Sequence, residues 1–322
     1  MLRFIARRLL ASIPVLILAS FIVFWGVRVT FDPLAKFRTS RDAGRVIAEK
    51  TKELGLDRPI IAQWWSWFRN FVTGNWGQSL TGNDVKEMTS RALGFTMQLI
   101  FWGVLISLIL AIAIGVYSAV KQYSVFDYVF TGLSYIGIAM PVFWFALLSI
   151  QFFSVGPKLR WDLDSPPLYF VGLHSTGQSG VNMDYFRHLA LPVMALTVQI
   201  IAVWSRIQRA SMLDVLSADY IRTARAKGLS ERTVVFKHAL RNALLPLVSQ
   251  TAVDAAALFG GLIITESIFS IPGMGRMFLQ ALLQGDVNVI LAWMMVTALF
   301  VILFNLAADI IYGLLDPRIR IA

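Results

Sequence analysis

The chain reads as an all-α integral membrane protein with six transmembrane helices, and three observations carry that reading. Hydrophobic residues fill 57% of the 322 positions and charged residues only 15%, with a mean hydropathy of +0.66; one soluble core cannot hide that much apolar surface. Six apolar runs approach or exceed the ~20 residues that a bilayer demands of a helix. Lys and Arg gather on alternate sides of those runs, fourteen on one side against four in the short loops of the other. That asymmetry is the positive-inside pattern, and it places both termini in the cytoplasm. The lipid bilayer is thus the first partner. The net charge of +10 would suit a nucleic acid, but the cations sit at the ends of apolar runs, as topology requires, and no nucleic-acid partner is expected.

Residues 1–29 hold Arg3, Arg7 and Arg8 followed by an apolar run from Leu9. A secretory leader has a shorter apolar core, roughly 7–15 residues, and a small-residue cleavage site. Val29-Thr30-Phe31-Asp32-Pro33 is no such site, so the run is expected to stay as the first span. Residues 30–95 are polar, with ten Lys or Arg against seven Asp or Glu, and form a large external segment; loops of this length cross regardless of charge. Within it Ile60, Ile61, Trp64, Trp65, Phe68, Phe71 and Val72 recur at helical spacing. They predict an amphipathic helix that lies in the membrane interface or packs on the spans.

Residues 96–315 form a five-span core, with apolar runs at 96–120, 128–155, 189–205, 244–265 and 287–315. Pro141 and Pro192 fall in or near spans, where a missing N–H and a steric ring kink a helix. Residues 206–243 make a cytoplasmic loop with eight of the basic residues, and residues 316–322 a cytoplasmic tail.

Much chemistry is excluded. There is no cysteine, hence no thiol catalysis or thiolate metal site. No G-x-x-x-x-G-K-[ST] phosphate loop is present, so the chain is expected not to hydrolyse ATP. His174, His188 and His238 are widely separated, without metal-ligand spacing. Gly177-Gln178-Ser179-Gly180 resembles the serine motif of intramembrane proteases, but the runs supply no histidine as general base. Asp254 and Asp309 lie in apolar runs, and ionisable groups there are functional candidates. Asp309 sits near a helix end; Asp254 is deeper and has no second acid or histidine as a relay, which favours a hydrogen-bonded packing role over ion coupling.

The stretch from Ser217 to Pro246 stands apart. Ala218, Ala224 and Ala226 make a good helix former with a basic edge of Arg222, Arg225 and Lys227. Gly228 stands where helices end in a left-handed residue, Ser230 can cap a second helix, and Pro246 opens the next span. Two helices meeting at Gly228 would form a rigid lever that a soluble partner could grip. Binding of anionic lipid by the basic edge accounts equally well for the charge.

Asp219-Tyr220-Ile221-Arg222-Thr223-Ala224-Arg225-Ala226-Lys227-Gly228 with Leu245-Pro246 resembles the EAA loop of ABC-transporter permeases, in the form of the dipeptide/oligopeptide branch. Further likeness runs in the same order through MLRFIARRLL, Leu54–Pro59, Gly77-Gln78-Ser79, Gly260-Gly261 to Glu266, Phe269, Pro272-Gly273-Met274-Gly275 and Leu315-Asp316-Pro317-Arg318. Arg222 and Thr223 stand where the general pattern has Glu and Ala.

The resemblance implies a type I importer permease of a prokaryotic cytoplasmic membrane. Its implied partners are a second homologous permease, two cytoplasmic ATPases that use ATP and Mg, and an extracytoplasmic binding protein. No cofactor is expected on this chain. Asp219, Tyr220, Arg222, Ala224, Arg225 and Gly228 would lie in or beside an ATPase groove, with Pro246 at the span entry. Gly137, Pro141, Asp254, Pro272 and Gly273 are candidates for the pathway or for binding-protein contact. The implied cargo is a di- or oligopeptide, with nickel or glutathione as alternatives in the same complex type, and an ion-coupled transporter using Asp254 as the reading from another class.

Overall fold

The computed structural model describes residues 2–32, 34, 38, 42–53 and 55–315; the expected tail, residues 316–322, lies outside them. Among the described residues the fold is helical, apart from one isolated bridge between Gln78 and Asp84. The helices are α1 (Leu2–Thr30), α2 (Ala43–Glu53), α3 (Ile60–Val72), α4 (Val85–Val120), α5 (Val125–Ala139), α6 (Val142–Arg160), α7 (Met183–Leu216), α8 (Asp219–Ala226), α9 (Glu231–Ala243), α10 (Leu245–Gly261), α11 (Ile263–Ile268), α12 (Met274–Gln284) and α13 (Val287–Leu315). Five of them, α1, α4, α6, α7 and α13, are long and apolar enough to cross a bilayer, and the pair α9–α10, bent by 44°, makes a sixth if the two count as one broken span.

The run expected at 287–315 matches α13, and the others differ at their ends. Helix α4 starts at Val85, where Asp84 Oδ1 accepts from the Glu87 N–H at 2.9 Å, so the polar residues 85–95 are helical and continuous with the apolar run that follows. Hydropathy marks where a helix leaves the lipid, and a helix continues past that point when its residues allow. Helix α7 likewise outruns its apolar stretch at both ends and passes through Pro192 without interruption. The run at 128–155 is two helices. Proline disfavours the α conformation in the residue before it, and Met140 is extended, with φ −81° and ψ 122°.

The chain divides into two compact units. One comprises Met1–Thr96 and Pro272–Leu303. Its amphipathic helix α3 packs on the first span: Trp64 donates to Ser20 Oγ at 3.1 Å and meets Phe21 edge-on, and Trp67 lies 5.4 Å from Phe24. In the same unit the Leu80 N–H donates to Asp286 Oδ2 at 2.6 Å and Asn288 Nδ2 donates to the Gln78 carbonyl at 2.8 Å. The Gly77-Gln78-Ser79 turn is thereby moored to the start of α13.

The other unit comprises Met97–Ile271 and Phe304–Ala322, and it holds the loop. Here α4 runs parallel to α7 in near backbone contact. A Cβ on Gly115 would lie 2.7 Å from the Ser205 carbonyl oxygen, and one on Gly103 would lie 2.5 Å from Leu196 Cδ2; small residues at such crossings let membrane helices approach. Helix α5 runs antiparallel to α7, with Asp127 facing Arg209, Gly137 facing Ala202 and, at its end, Met140 facing Gln199, and α6 packs on α7 as well. Ala111, Trp204 and Leu247 form the buried junction of α4, α7 and α10.

Candidate functional site

Helix α7 leads through Ser217 and Ala218 into α8, which begins at Asp219 rather than Ser217 and ends as glycine chemistry dictates. Gly228 has φ +77°. Its N–H donates to the Arg225 carbonyl at 2.9 Å, and the Leu229 N–H donates to the Ala224 carbonyl at 3.4 Å. These two bonds form a Schellman motif, which satisfies carbonyls that a helix end leaves open. Ser230 Oγ then accepts from the Thr233 N–H at 3.4 Å and starts α9.

The two helices close on each other. Ile221, fully buried, and Ala224 pack with Val234, Val235, Ala239 and Ala243 of α9 and with Val116, Ala119 and Met212 from the ends of α4 and α7. Two polar contacts fasten the rims: Arg225 Nε to Glu231 Oε1 at 2.7 Å, and Asn242 Nδ2 donating to Tyr220 Oη at 2.9 Å. The pair is thus a hairpin with its own small core, seated on two spans, and not a freely projecting lever. Ala224 is turned into that core, so its small size serves approach of α9 and not of an outside surface. Asp219 and Arg222 expose 96% and 73% of their side chains, and Tyr220, Arg225 and Gly228 are exposed as well. Pro246, in the first turn of α10, loses no helical bond there.

The remaining candidates occupy separate places. Gly137 is a packing contact, where a Cβ would lie 3.2 Å from Ala202 Cβ. Beside it the carbonyl of Met140, freed by the break before Pro141, accepts from Gln199 Nε2 at 2.7 Å. Asp254 accepts from Trp204 Nε1 at 2.7 Å and from Gln250 Nε2 at 2.8 Å, the packing arrangement that its isolation suggests. Pro272 is exposed, and buried Gly273 caps α12.

Sequence reasoning missed one strong feature. Arg209 grips Asp127 with two bonds, Nε to Oδ1 at 2.7 Å and Nη2 to Oδ2 at 2.8 Å, and the Tyr123 N–H adds a third contact at 3.0 Å. Asp127 is 2% exposed. This pair pins the start of α5 to α7 just before the loop. Its signal was Ser124-x-x-Asp127, a capping-box spacing; run boundaries set at 128 and 205 left both partners out.

The described residues thus form a set of long apolar helices with a helical hairpin inserted between α7 and α10. Residues 111–321 match the family model "Binding-protein-dependent transport system inner membrane component", and residues 1–111 match its N-terminal companion. The chain belongs to this family. It is 36% identical to the oligopeptide transport system permease protein OppB of Mycobacterium tuberculosis over the full length of both chains. It is also 36% identical to AppB of Bacillus subtilis, covering 99% of this chain and all of that one, and 34% identical to the dipeptide permease DppB of Alkalihalophilus pseudofirmus over 99% and 100%. Among solved structures, an inward-facing MetNI methionine ABC transporter matches with a TM-score of 0.54 at 17% identity, over 71% of this chain and 96% of that one. It shares the type I importer fold.

Proposed function

We propose that the chain is one of two permease subunits in an ATP-driven importer that moves di- or oligopeptides into the cell. The observation that carries this reading is the α8–α9 hairpin, which interrupts the chain between α7 and α10 and offers Asp219, Tyr220, Arg222 and Gly228 on its outer face. The relatives' names as peptide permeases support the cargo. Two cytoplasmic ATPases bind and hydrolyse ATP with Mg and grip the outer face, while Ala224 and Ile221 couple it to the spans from beneath. A binding protein delivers peptide on the opposite side. The membrane is the prokaryotic cytoplasmic membrane, with N- and C-termini inside.

The mechanism is a population shift between two packings. ATP-driven closure of the ATPases moves the hairpin, and the hairpin moves α4 and α7 with it, because its core includes residues from the ends of both. The chain itself makes and breaks no covalent bond. The hydrogen bonds on Asp254 give it a packing role, which leaves an ion-coupled transporter without a relay. Purification of the native complex tests the assignment. Two ATPase chains and a second permease should accompany this one, and ATP-dependent uptake into vesicles should follow labelled peptide, not nickel or glutathione. Ion-gradient transport by the chain alone would refute it.

A further inference from the structure

A cavity of about 1130 Å³ opens where the last turns of α4 and α7 meet α9, and Ile112, Val116, Leu213, Leu216, Val235 and Leu240 wall it. Small-molecule sites run to about 300–1,000 Å³, so this one suits a larger occupant. Its rim carries three cations, Lys121, Arg225 and Arg232, against one carboxylate, Glu231, and that carboxylate is taken by Arg225 at 2.7 Å. Lys121 and Arg232 are exposed, and among the described residues neither meets a carboxylate. Tyr117, Tyr123 and Phe236, 50%, 70% and 60% exposed, edge the opening. Tyr and Trp concentrate at the headgroup level of membrane proteins because one end is apolar and the other wet.

We propose that this groove binds one anionic phospholipid, with its acyl chains along the apolar wall and its phosphate held by Lys121 and Arg232. Three facts select that occupant. The walls are apolar at the end of a bilayer-spanning helix, the uncompensated charge is positive, and basic pockets between spans are where anionic headgroups bind. Helix α9 is both a wall of the groove and half of the hairpin. A bound lipid therefore fills the space beneath α9 and stiffens its seat on α4 and α7; this functional consequence rests on the coupling role proposed above, whereas binding itself does not.

The test uses the complex purified with its partners in vesicles of phosphatidylcholine with and without phosphatidylglycerol. Retained lipid is read by native mass spectrometry and ATPase activity is read alongside. Two surface cations at about 1 kcal/mol each predict an about 30-fold preference for phosphatidylglycerol. Lys121→Gln with Arg232→Gln should bring that preference close to parity while activity in pure phosphatidylcholine stays unchanged. Ala113→Trp, at an exposed position lining the groove, should expel both lipids. An undiminished preference in the double variant overturns the proposal, as does lipid retention unaffected by Ala113→Trp. A photo-cross-linker at position 113 that captures an ATPase chain instead of lipid overturns it too. Loss of peptide transport in every form would defeat the cargo assignment and leave the lipid result standing.

Discussion

Replacement of Gly228 isolates the contribution of backbone conformation to coupling. At φ +77° with no heavy atom within 4 Å of a built Cβ, a new side chain meets no clash, and the whole cost is conformational. A left-handed residue with a Cβ costs roughly 1–2 kcal/mol, and β-branched ones fare worst, whereas Asn tolerates the region. Gly228→Val should therefore lower the equilibrium ratio of the Schellman turn to its open form about five- to thirtyfold. The hydrogen bonds from Gly228 and Leu229 to the Arg225 and Ala224 carbonyls would go with it. Transport and retention of the ATPases in the purified complex should fall, with membrane insertion intact. Gly228→Asn, similar in size to Val, should stay within about twofold of the native protein. If Asn were as damaging as Val, the loss would come from the outer contact surface and not from the turn. A Val variant with native activity would dismiss the turn altogether.

Four further outcomes follow from other contacts. Asp127→Asn strands Arg209, and breaking a buried pair costs about 3–5 kcal/mol; with 28% of the Arg209 side chain exposed, the lower end applies, as a drop in thermal midpoint, and Asp127→Leu with Arg209→Met should recover most of it. The exposed Arg225–Glu231 pair is worth under about 1 kcal/mol, so Arg225→Glu alone should lower coupling modestly and the charge swap with Glu231→Arg should restore it. Asp254→Asn keeps an acceptor for Trp204 and should transport normally, whereas Asp254→Leu leaves a buried N–H open and should cost about 1–3 kcal/mol in stability. Gly115→Val drives a side chain into the Ser205 carbonyl and should cost about 1–3 kcal/mol, seen as poor yield of folded protein.

The crossings and the loop were legible because each rests on local chemistry. Apolar length located the spans, Gly228 the end of α8, and Ser230 the start of α9. Long-range geometry was not. Nothing in the spacing tells that Ala224 faces inward, because an alanine on a short helix suits its own neighbour as well as a partner. Helix ends beyond the lipid, as at Val85 and Leu216, carry no hydropathy signal. The Asp127–Arg209 pair and the mooring of Leu80 by Asp286 join residues far apart in the chain, and only the fold brings them together. The break at Met140 was readable in kind from Pro141, and its partner Gln199 was not.

The close passage of α4 along α7 sets a mechanical advantage. With 34 residues at ~1.5 Å each, α7 is about 51 Å long, and Gly115 brings α4 so near that the two helices must tilt as one beam. A rotation of about 5° at the end joined to the hairpin sweeps the far end through about 4 Å, by the geometry of a rod of that length. Under the coupling role proposed above, a small motion beneath the hairpin would thus grow in proportion to distance along the beam. A glycine with no side chain sets how closely the two helices of that beam are joined.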